Sequence, residues 1–287
     1  MTVLFCADDI GLSRAQIRSS REYAEKGMLD NAGILGNSFL LEESVRALKG
    51  YCPLSLHLNL TEGSCCAPPE QIPLLARPDG IFYSCFSRLL LLSVFRKKEL
   101  ERQVRLECRA QLERFLSLQE NDWRIRIDSH RHFHMIPAVL SGMCLALTDS
   151  GHEVEHIRFS REKLSLYPHS GTGPIPLANL VKVLVLNRCA RTDRKILDRF
   201  GFRKCCTDFA GVALSGHMVY ENVSPLIEEA ERRADRKDRV LEILFHPFGL
   251  MPGDSCEGLK PCLYESFYRS PLRKEECRAL EKLHSGR

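Results

Sequence analysis

The chain has 287 residues, of which 44% are hydrophobic and 27% are charged, and this balance supports a sizeable core and excludes a disordered protein. The formal net charge is only +4, and the short basic runs 96–98 and 232–233 lie among glutamates, as on solvated helix faces, so we expect no nucleic-acid partner. The most apolar stretch, 89–95, is about a third of a membrane span, so we expect no transmembrane helix and no membrane partner.

Thirteen cysteines are present, and their spacing does not indicate a disulfide framework. There is no Cys-x-x-Cys pair, and the vicinal pairs Cys65-Cys66 and Cys205-Cys206 have poor geometry for ordinary disulfides. Most other cysteines lie in apolar runs, where a free thiol behaves as a small hydrophobic group. The amino terminus also lacks the pattern of a signal peptide. Together these features predict a cytoplasmic protein.

The first predicted element is a short buried strand that ends in two adjacent carboxylates, Asp8 and Asp9. The carboxyl ends of strands are where sites are built in α/β sheets and barrels. Neighbouring side chains of a strand point to opposite faces, so one carboxylate could hold a metal while the other handles a proton. The residues do not say which does which, and they are equally typical of a polar turn before a helix.

The next elements are a helix over 14–26, a strand over 31–35, a helix over 41–48 and a strand over 53–61. Ser13 is the expected N-cap of the first helix, and Gly27 its stop. The strand over 53–61 alternates strictly, with leucines on one face and Ser55, His57, Asn59 and Thr61 on the other. A polar inner face is typical of a barrel strand that lines a wet site, although a lone His57 is also compatible with a structural role.

Residues 62–95 are rich in proline and turn signals, and we interpret them as a loop that forms a rim or lid over the site, or a dimer contact. A long helix is predicted over 99–118. The strand over 123–128 then ends in Asp128 and continues into a run containing His130, His132 and His134. In an extended segment these three histidines share one face, although a histidine-rich surface loop is the alternative. We expect His130, at the strand end, to be a metal ligand, and His132 and His134 to orient it, line the pocket or bind substrate.

The rest of the chain continues the alternation of helices and strands. Helices are predicted over 137–150, over 177–200 with a break near 191–193, over 223–234 and from 270 onward. Strands are predicted over 154–159, 205–209 and 239–246, the last ending in His246-Pro247. Alternation favours βαβ units and a mostly parallel sheet. No Gly-x-Gly-x-x-Gly follows the first strand, so an irregular (β/α) barrel is favoured over a dinucleotide-binding sheet. No linker divides the chain, and we expect one domain over residues 1–287.

These strand ends supply the parts of a metal-dependent hydrolase. Two imidazoles and a carboxylate form a common divalent-metal set, which His57, His130 and one of the two adjacent aspartates provide. The other aspartate could then act as the general base that takes a proton from water, and His246 as the acid that protonates the leaving group. His246-Pro247 alone is also typical of a capped strand end.

At these residues the sequence resembles the YdjC/ChbG-like carbohydrate deacetylases. The matching segments occur in the family's order and span nearly the whole chain: 7–11, 56–61, 128–134, 157–162 and 245–247. The resemblance implies a deformed (β/α) barrel related to the NodB-type polysaccharide deacetylases. It further implies a divalent metal, usually magnesium with zinc or manganese as alternatives, and removal of the N-acetyl group from an amino sugar or chitooligosaccharide. It also implies a homodimer.

By position, the resemblance assigns Asp9, His57 and His130 to the metal, Asp8 to the base and His246 to the acid. It places Arg158 and Arg161 among the polar pocket residues, and we expect Asn59, on the same strand face as His57, to contact substrate. One departure is Phe248, which separates His246-Pro247 from Gly249 where the family tends to His-Pro-Gly. We expect this bulky residue to reshape the pocket floor.

Two other classes of function remain open at this point. One is a metal-dependent sugar-phosphate hydrolase or isomerase on the same barrel, although the chain lacks a Gly-rich anion loop. The other is a non-catalytic sugar- or metal-binding relative. Release of acetate from N-acetylated sugars, with and without a chelator, separates the three.

Overall fold

The computed structural model describes residues 1–120, 124–234 and 239–286. Its strands form one sheet in the order β5-β4-β3-β2-β1-β7-β6, and every neighbouring pair is parallel. The strands are β1 (Thr2–Ile10), β2 (Asn31–Leu35), β3 (Leu54–Leu58), β4 (Ile125–Ser129), β5 (Val154–Ile157), β6 (Asp208–Ala210) and β7 (Val240–Phe245). The sheet curls into a half-barrel, so the predicted deformed (β/α) barrel is confirmed.

Helices connect the strands and pack on the outside of the sheet. They are α1 (Arg14–Glu25), α2 (Leu41–Leu48), α3 (Phe86–Phe95), α4 (Lys97–Leu116), α5 (Pro137–Ser150), α6 (Tyr167–Ser170), α7 (Leu177–Phe200), α8 (Tyr220–Arg232), α9 (Glu265–Tyr268) and α10 (Leu272–Ser285). None of the helices in the described part of the chain is long and apolar enough to cross a membrane.

Several elements follow the local sequence signals closely. Ser13 caps α1 by accepting a hydrogen bond from the Gln16 N–H at 3.1 Å, and Gly27 follows the helix with φ +70°. Both β2 and α2 have the predicted bounds. These matches are expected because caps, stops and short apolar runs are specified by adjacent residues.

Several expectations about secondary structure were wrong. Helix α7 is continuous over the expected break at 191–193, because Ala190 and Leu197 lie on its buried face and this packing outweighs the low helix propensity of Thr192 and Asp193. Residues 62–95 are not all loop, since α3 and a 3₁₀ turn, Pro69–Gln71, lie within them. Strand β4 begins at Ile125, so Arg124 of the predicted 123–128 strand is not part of it, and Trp123 lies outside the described residues.

Strand β3 is buried on both faces. Leu54, Leu56 and Leu58 are enclosed as expected, but Ser55 and His57 are equally buried. The strand ends at Leu58, so the predicted alternation does not extend through Asn59 to Thr61. The polar face of β3 therefore holds buried polar groups that need partners within the protein.

The main core lies between the sheet and its helices, and each of the 13 cysteines is a free thiol. A smaller apolar cluster packs beside it, formed by Leu12, Leu35, Leu250, Leu259 and Tyr268. This second cluster fixes the segment after β7 against the ends of β1 and β2, the edge of the sheet where the polar residues collect.

Candidate metal centre

Asp9, His57 and His130 meet at the carboxyl ends of β1, β3 and β4. Strand β2 lies between β1 and β3, and its Gly33 has no side chain to separate their residues. A Cβ atom at Gly33 would lie 3.0 Å from Asp8 Oδ1 and 3.4 Å from His57 Nδ1. Glycine at this position lets the side chains of β1 and β3 approach each other across β2.

Backbone geometry at the end of β1 separates the two adjacent carboxylates. The pairing register with β2 shifts between Ala7 and Ile10, and Asp9 has φ +61°, a left-handed value that is uncommon for a residue other than glycine. Asp9 reaches the wall of a cavity, whereas Asp8 is buried beneath it. Strained backbone of this kind clusters at functional sites.

The three side chains converge on the Asp9 carboxylate. His130 Nδ1 lies 2.7 Å from Asp9 Oδ1, and His57 Nε2 lies 3.2 Å from the same oxygen without the alignment of a hydrogen bond. One ligand atom from each residue lies within 4.8 Å of the others. All three side chains are at least nine-tenths buried.

Unpaired polar atoms at this point fit a divalent cation. Within the described residues, Asp9 Oδ2, His57 Nε2 and His130 Nε2 have no hydrogen-bond partner although they are buried. Buried polar groups are normally hydrogen-bonded, so an unpaired atom on each of the three residues needs an explanation. On His130 the nitrogen that faces Asp9 is Nδ1, and the unpaired Nε2 lies 3.2 Å from Glu62. Imidazole and carboxylate are ligands that suit zinc, manganese or iron, and the carboxylate also suits magnesium.

A second group of possible ligands, Asp8, His57 and Asp128, lies directly beneath the first. Here the protein supplies its own cation, because the buried Arg158 guanidinium binds Asp8 through two hydrogen bonds of 2.5 and 2.9 Å and also pairs with Asp128. Its Nε donates to Glu242 at 2.5 Å. The Asp9 group therefore remains the candidate metal centre.

The two aspartates differ in their electrostatics. Burial raises the pKa of Asp8, against the opposing effect of Arg158. Burial also acts to raise the pKa of Asp9, but the imidazole of His130 outweighs it and holds that pKa well below the usual value. Asp9 is thus the more fully ionised of the two carboxylates, which suits a metal ligand, and Asp8 binds a proton more readily.

A cavity of about 600 Å³ opens over the centre. Its walls include Asp9 and His130, the imidazoles of His132 and His246, and the aromatic rings of Tyr264 and Phe267. The guanidinium of Arg131 lies over the Tyr264 ring at 4.0 Å from its centroid, and Lys182 of α7 lines the same space. A volume of this size is typical of a small-molecule site.

Comparison with known proteins gives the family. The model of the YdjC-like proteins matches residues 2–280. The chain belongs to the YdjC-like family. It is similar to a carbohydrate deacetylase of Danio rerio, with 27% identity over 147 residues that cover 50% of this chain and 45% of that relative. The match thus spans slightly less than half of the relative's length.

A solved structure from Enterococcus faecalis, of a protein named as a cellobiose-phosphate cleavage protein, has the same fold. It superimposes with a TM-score of 0.60 and covers 97% of this chain and 94% of its own, at 19% identity. At that identity the likeness concerns the fold alone.

Five of the residues singled out from the sequence lie at or next to the cavity of this YdjC-like chain. Asp9, His130, His132 and His246 line it, and His57 lies behind Asp9. The histidine run is not extended as expected. Residues 130–135 form 3₁₀ turns in which Arg131 and His132 have φ of +54° and +59°. This turn separates the histidines, because it directs His132 to the cavity and His134 into the interior.

The structure encloses three residues that were expected to contact substrate. His134 pairs with Ser129 Oγ at 2.7 Å and with the Arg158 carbonyl at 2.9 Å. Asn59 donates to Asn37 and to the Glu62 carbonyl, each at 3.0 Å. The guanidinium of Arg158 binds the buried carboxylates of Asp8, Asp128 and Glu242. These side chains support the site from below and do not form the cavity wall.

Arg161 and Phe248 also lie outside the cavity wall. Arg161 is half-buried after β5, and residues on other segments form the lining. Phe248 has φ +59° and packs its ring edge-to-face on Tyr23, with centroids 4.6 Å apart. The expectation that Phe248 reshapes the pocket floor was wrong, because this backbone conformation turns the ring toward α1.

Sequence reasoning missed several residues that the structure brings to the centre. Asp128 was noted only as a strand end, yet its Oδ1 accepts a hydrogen bond from His57 Nδ1 at 2.6 Å. Glu62 follows β3 and lies 3.2 Å from His130 Nε2. Its position just after a strand with alternating polar residues was the available signal. No local sequence signal marked Tyr264 and Phe267, because they reach the cavity only through the packing of the segment after β7.

Proposed function

We propose that this protein is a metal-dependent hydrolase that removes the N-acetyl group from an acetylated amino sugar or chitooligosaccharide. The observation that carries the proposal is the set of unpaired buried atoms on Asp9, His57 and His130 at the base of a cavity. Membership of the YdjC-like family and similarity to a relative named as a carbohydrate deacetylase support the substrate class.

In this proposal Asp9, His57 and His130 hold the metal, with Mg²⁺ as the first candidate and Zn²⁺ or Mn²⁺ as alternatives. A divalent cation at such a centre polarises the acetyl carbonyl and makes water a nucleophile near neutral pH. Asp128 holds the His57 ring from behind at 2.6 Å, which fixes its orientation and keeps Nε2 directed at Asp9.

We assign the base to Asp8 and the acid to His246. Asp8 is held in one orientation by Arg158, and burial raises its pKa, so it is a better proton acceptor than an ordinary aspartate. Burial lowers the pKa of His246 to about 3. The ring is therefore neutral at pH 7 and must take up a proton during the reaction before it can donate one to the leaving amine.

The cavity walls suit a sugar. Tyr264 and Phe267 offer aromatic faces, and His132, held by Ser160 at 2.8 Å, offers a ring nitrogen to a hydroxyl group. Cys85, Phe86 and Ser87 belong to the 62–95 segment and line the same space. We therefore keep the proposal that this segment forms part of the rim, within one domain over residues 1–287.

Acetate release from a panel of N-acetylated amino sugars and chitooligosaccharides tests the proposal. The full chain is assayed after treatment with a chelator and after addition of Mg²⁺, Zn²⁺ or Mn²⁺. We expect release that depends on the added metal. Asp8→Asn should abolish turnover while metal remains bound, whereas His57→Ala should lose the metal.

Three outcomes would contradict parts of this reasoning. Normal deacetylation by Asp8→Asn rules out the base assignment, and unchanged metal content in His57→Ala rules out that ligand. If no N-acetyl sugar yields acetate but sugar phosphates yield phosphate, the protein is a phosphoesterase and the proposal fails.

A further inference from the structure

Glu62 places another buried carboxylate against the metal centre. We propose that Glu62 is a positioning residue that orients His130 as a metal ligand and ties this ligand to the segment that forms one cavity wall. The inference rests on the proposed function in one respect: it requires that Asp9, His57 and His130 hold a metal.

The two histidines of the centre have matching surroundings. The Nε2 atom of His57 and the Nδ1 atom of His130 both lie against Asp9 Oδ1, at 3.2 and 2.7 Å. The other nitrogen of each ring lies against a different carboxylate. His57 Nδ1 is hydrogen-bonded to Asp128 at 2.6 Å, and His130 Nε2 lies 3.2 Å from Glu62 without the alignment of a hydrogen bond. Histidines that bind metals usually donate their second N–H to such a group, which fixes the tautomer and the ring orientation.

Glu62 is held where this role requires it. The side chain is fully buried. The Tyr268 hydroxyl donates to its Oε1, and the Leu263 N–H donates to its Oε2 at 2.8 Å. Both donors are neutral. A buried carboxylate needs a positive partner or several donors. In the part of the chain that the structure describes, the contact of Glu62 that can supply positive charge is His130, directly or through a bound cation.

The same contacts connect the metal centre to the substrate space. Leu263 and Tyr268 flank Tyr264 and Phe267, the two aromatic residues of the cavity wall. Glu62 therefore links a metal ligand on one side to a wall segment on the other. A loss of its charge should weaken metal binding, and a loss of its Tyr268 contact should do so to a smaller extent.

The test is titration of the metal-free full chain with Mn²⁺, followed by calorimetry, for the wild type and for Glu62→Gln. The variant keeps the size of the side chain and removes its charge. We expect its Kd for Mn²⁺ to rise about 10–100-fold, as for other outer-shell partners of metal ligands.

Glu107→Gln is the matched control. Glu107 is also buried and accepts hydrogen bonds from the Cys66 and Ala67 N–H groups, at 2.9 and 2.8 Å, in the loop that follows Glu62. A purely structural role for Glu62 would give both variants the same behaviour: lower thermal stability and an unchanged Kd. We expect Glu107→Gln to show that behaviour and Glu62→Gln to differ from it.

Three results would overturn the inference. The first is a Glu62→Gln variant that folds and binds Mn²⁺ as tightly as the wild type. If Glu62→Gln does not fold, Tyr268→Phe replaces it, and an unchanged Kd in Tyr268→Phe is the second. If the wild type itself binds no Mn²⁺, Mg²⁺ or Zn²⁺, the proposed metal centre fails, and the role of Glu62 fails with it. Metal binding by the wild type with no effect of Glu62 refutes this inference alone.

Discussion

Asp193 tests whether burial keeps a carboxyl group protonated in this protein at neutral pH. It lies on α7 with its side chain fully enclosed, and within the described residues neither carboxylate oxygen has a hydrogen-bond partner. Burial raises its pKa to about 9. The folded protein therefore keeps a proton on Asp193 at pH 7, whereas the unfolded chain, with a pKa near 3.9, loses it.

The size of the effect follows from this difference in proton binding. Between the two pKa values the folded state holds one more proton, so the free energy of unfolding falls by up to about 1.4 kcal/mol for each pH unit. The contribution of Asp193 is greatest below about pH 4 and is lost as the pH rises to about 9. From pH 5 to pH 8 the loss amounts to about 4 kcal/mol, a large part of a typical stability of about 5–15 kcal/mol.

Asp193→Asn removes this ionisation and keeps the shape of the side chain. We expect the variant to gain stability over the wild type as the pH rises, by up to about 4 kcal/mol between pH 5 and pH 8. Urea unfolding at several pH values measures this difference. Asp198→Asn is the control, because Asp198 on the same helix is 60% exposed. If the wild type and Asp193→Asn show the same dependence on pH, the assignment of a buried protonated carboxyl is wrong.

Two further predictions concern the site and the first helix. Gly33→Ala places a methyl group 3.0 Å from Asp8 and 3.4 Å from His57. We therefore expect weaker Mn²⁺ binding and at least about tenfold slower acetate release. A wild-type Kd for Mn²⁺ together with a wild-type rate of acetate release would contradict the close approach of β1 and β3 side chains across β2. Ser13→Ala removes the hydrogen bond that caps the Gln16 N–H, and it should lower the free energy of unfolding by about 1 kcal/mol in urea titrations. An unchanged free energy of unfolding would show that another group satisfies the Gln16 N–H.

The candidate site was only partly accessible from the sequence. His57, His130 and the pair Asp8-Asp9 were identified because polar residues at the ends of parallel strands collect at one edge of a sheet, and the choice of Asp9 as the ligand came from the family resemblance. The structure brings Asp9, His57 and His130 together. The roles expected for His134, Asn59 and Arg158 depended on which way each side chain turns, and that is decided by partners far along the chain.

Local signals determined the order of elements. Residues close in sequence specify the cap at Ser13, the stop at Gly27, the bounds of β2 and α2, and the alternation of strands and helices. From that alternation the sequence by itself determined a parallel α/β sheet, because strands joined by helical connections pair in parallel.

Only the tertiary structure decided which of the first two carboxylates faces the cavity. Alternation in a regular strand would separate Asp8 from Asp9 without saying which one meets the cavity. The register shift and the left-handed φ of Asp9 direct that side chain to the imidazoles, while Arg158, 150 residues away from Asp8 in sequence, holds the other carboxylate below. Long-range pairing of buried charges is not encoded in local periodicity, because each buried carboxylate is satisfied only when a distant cation or donor packs against it.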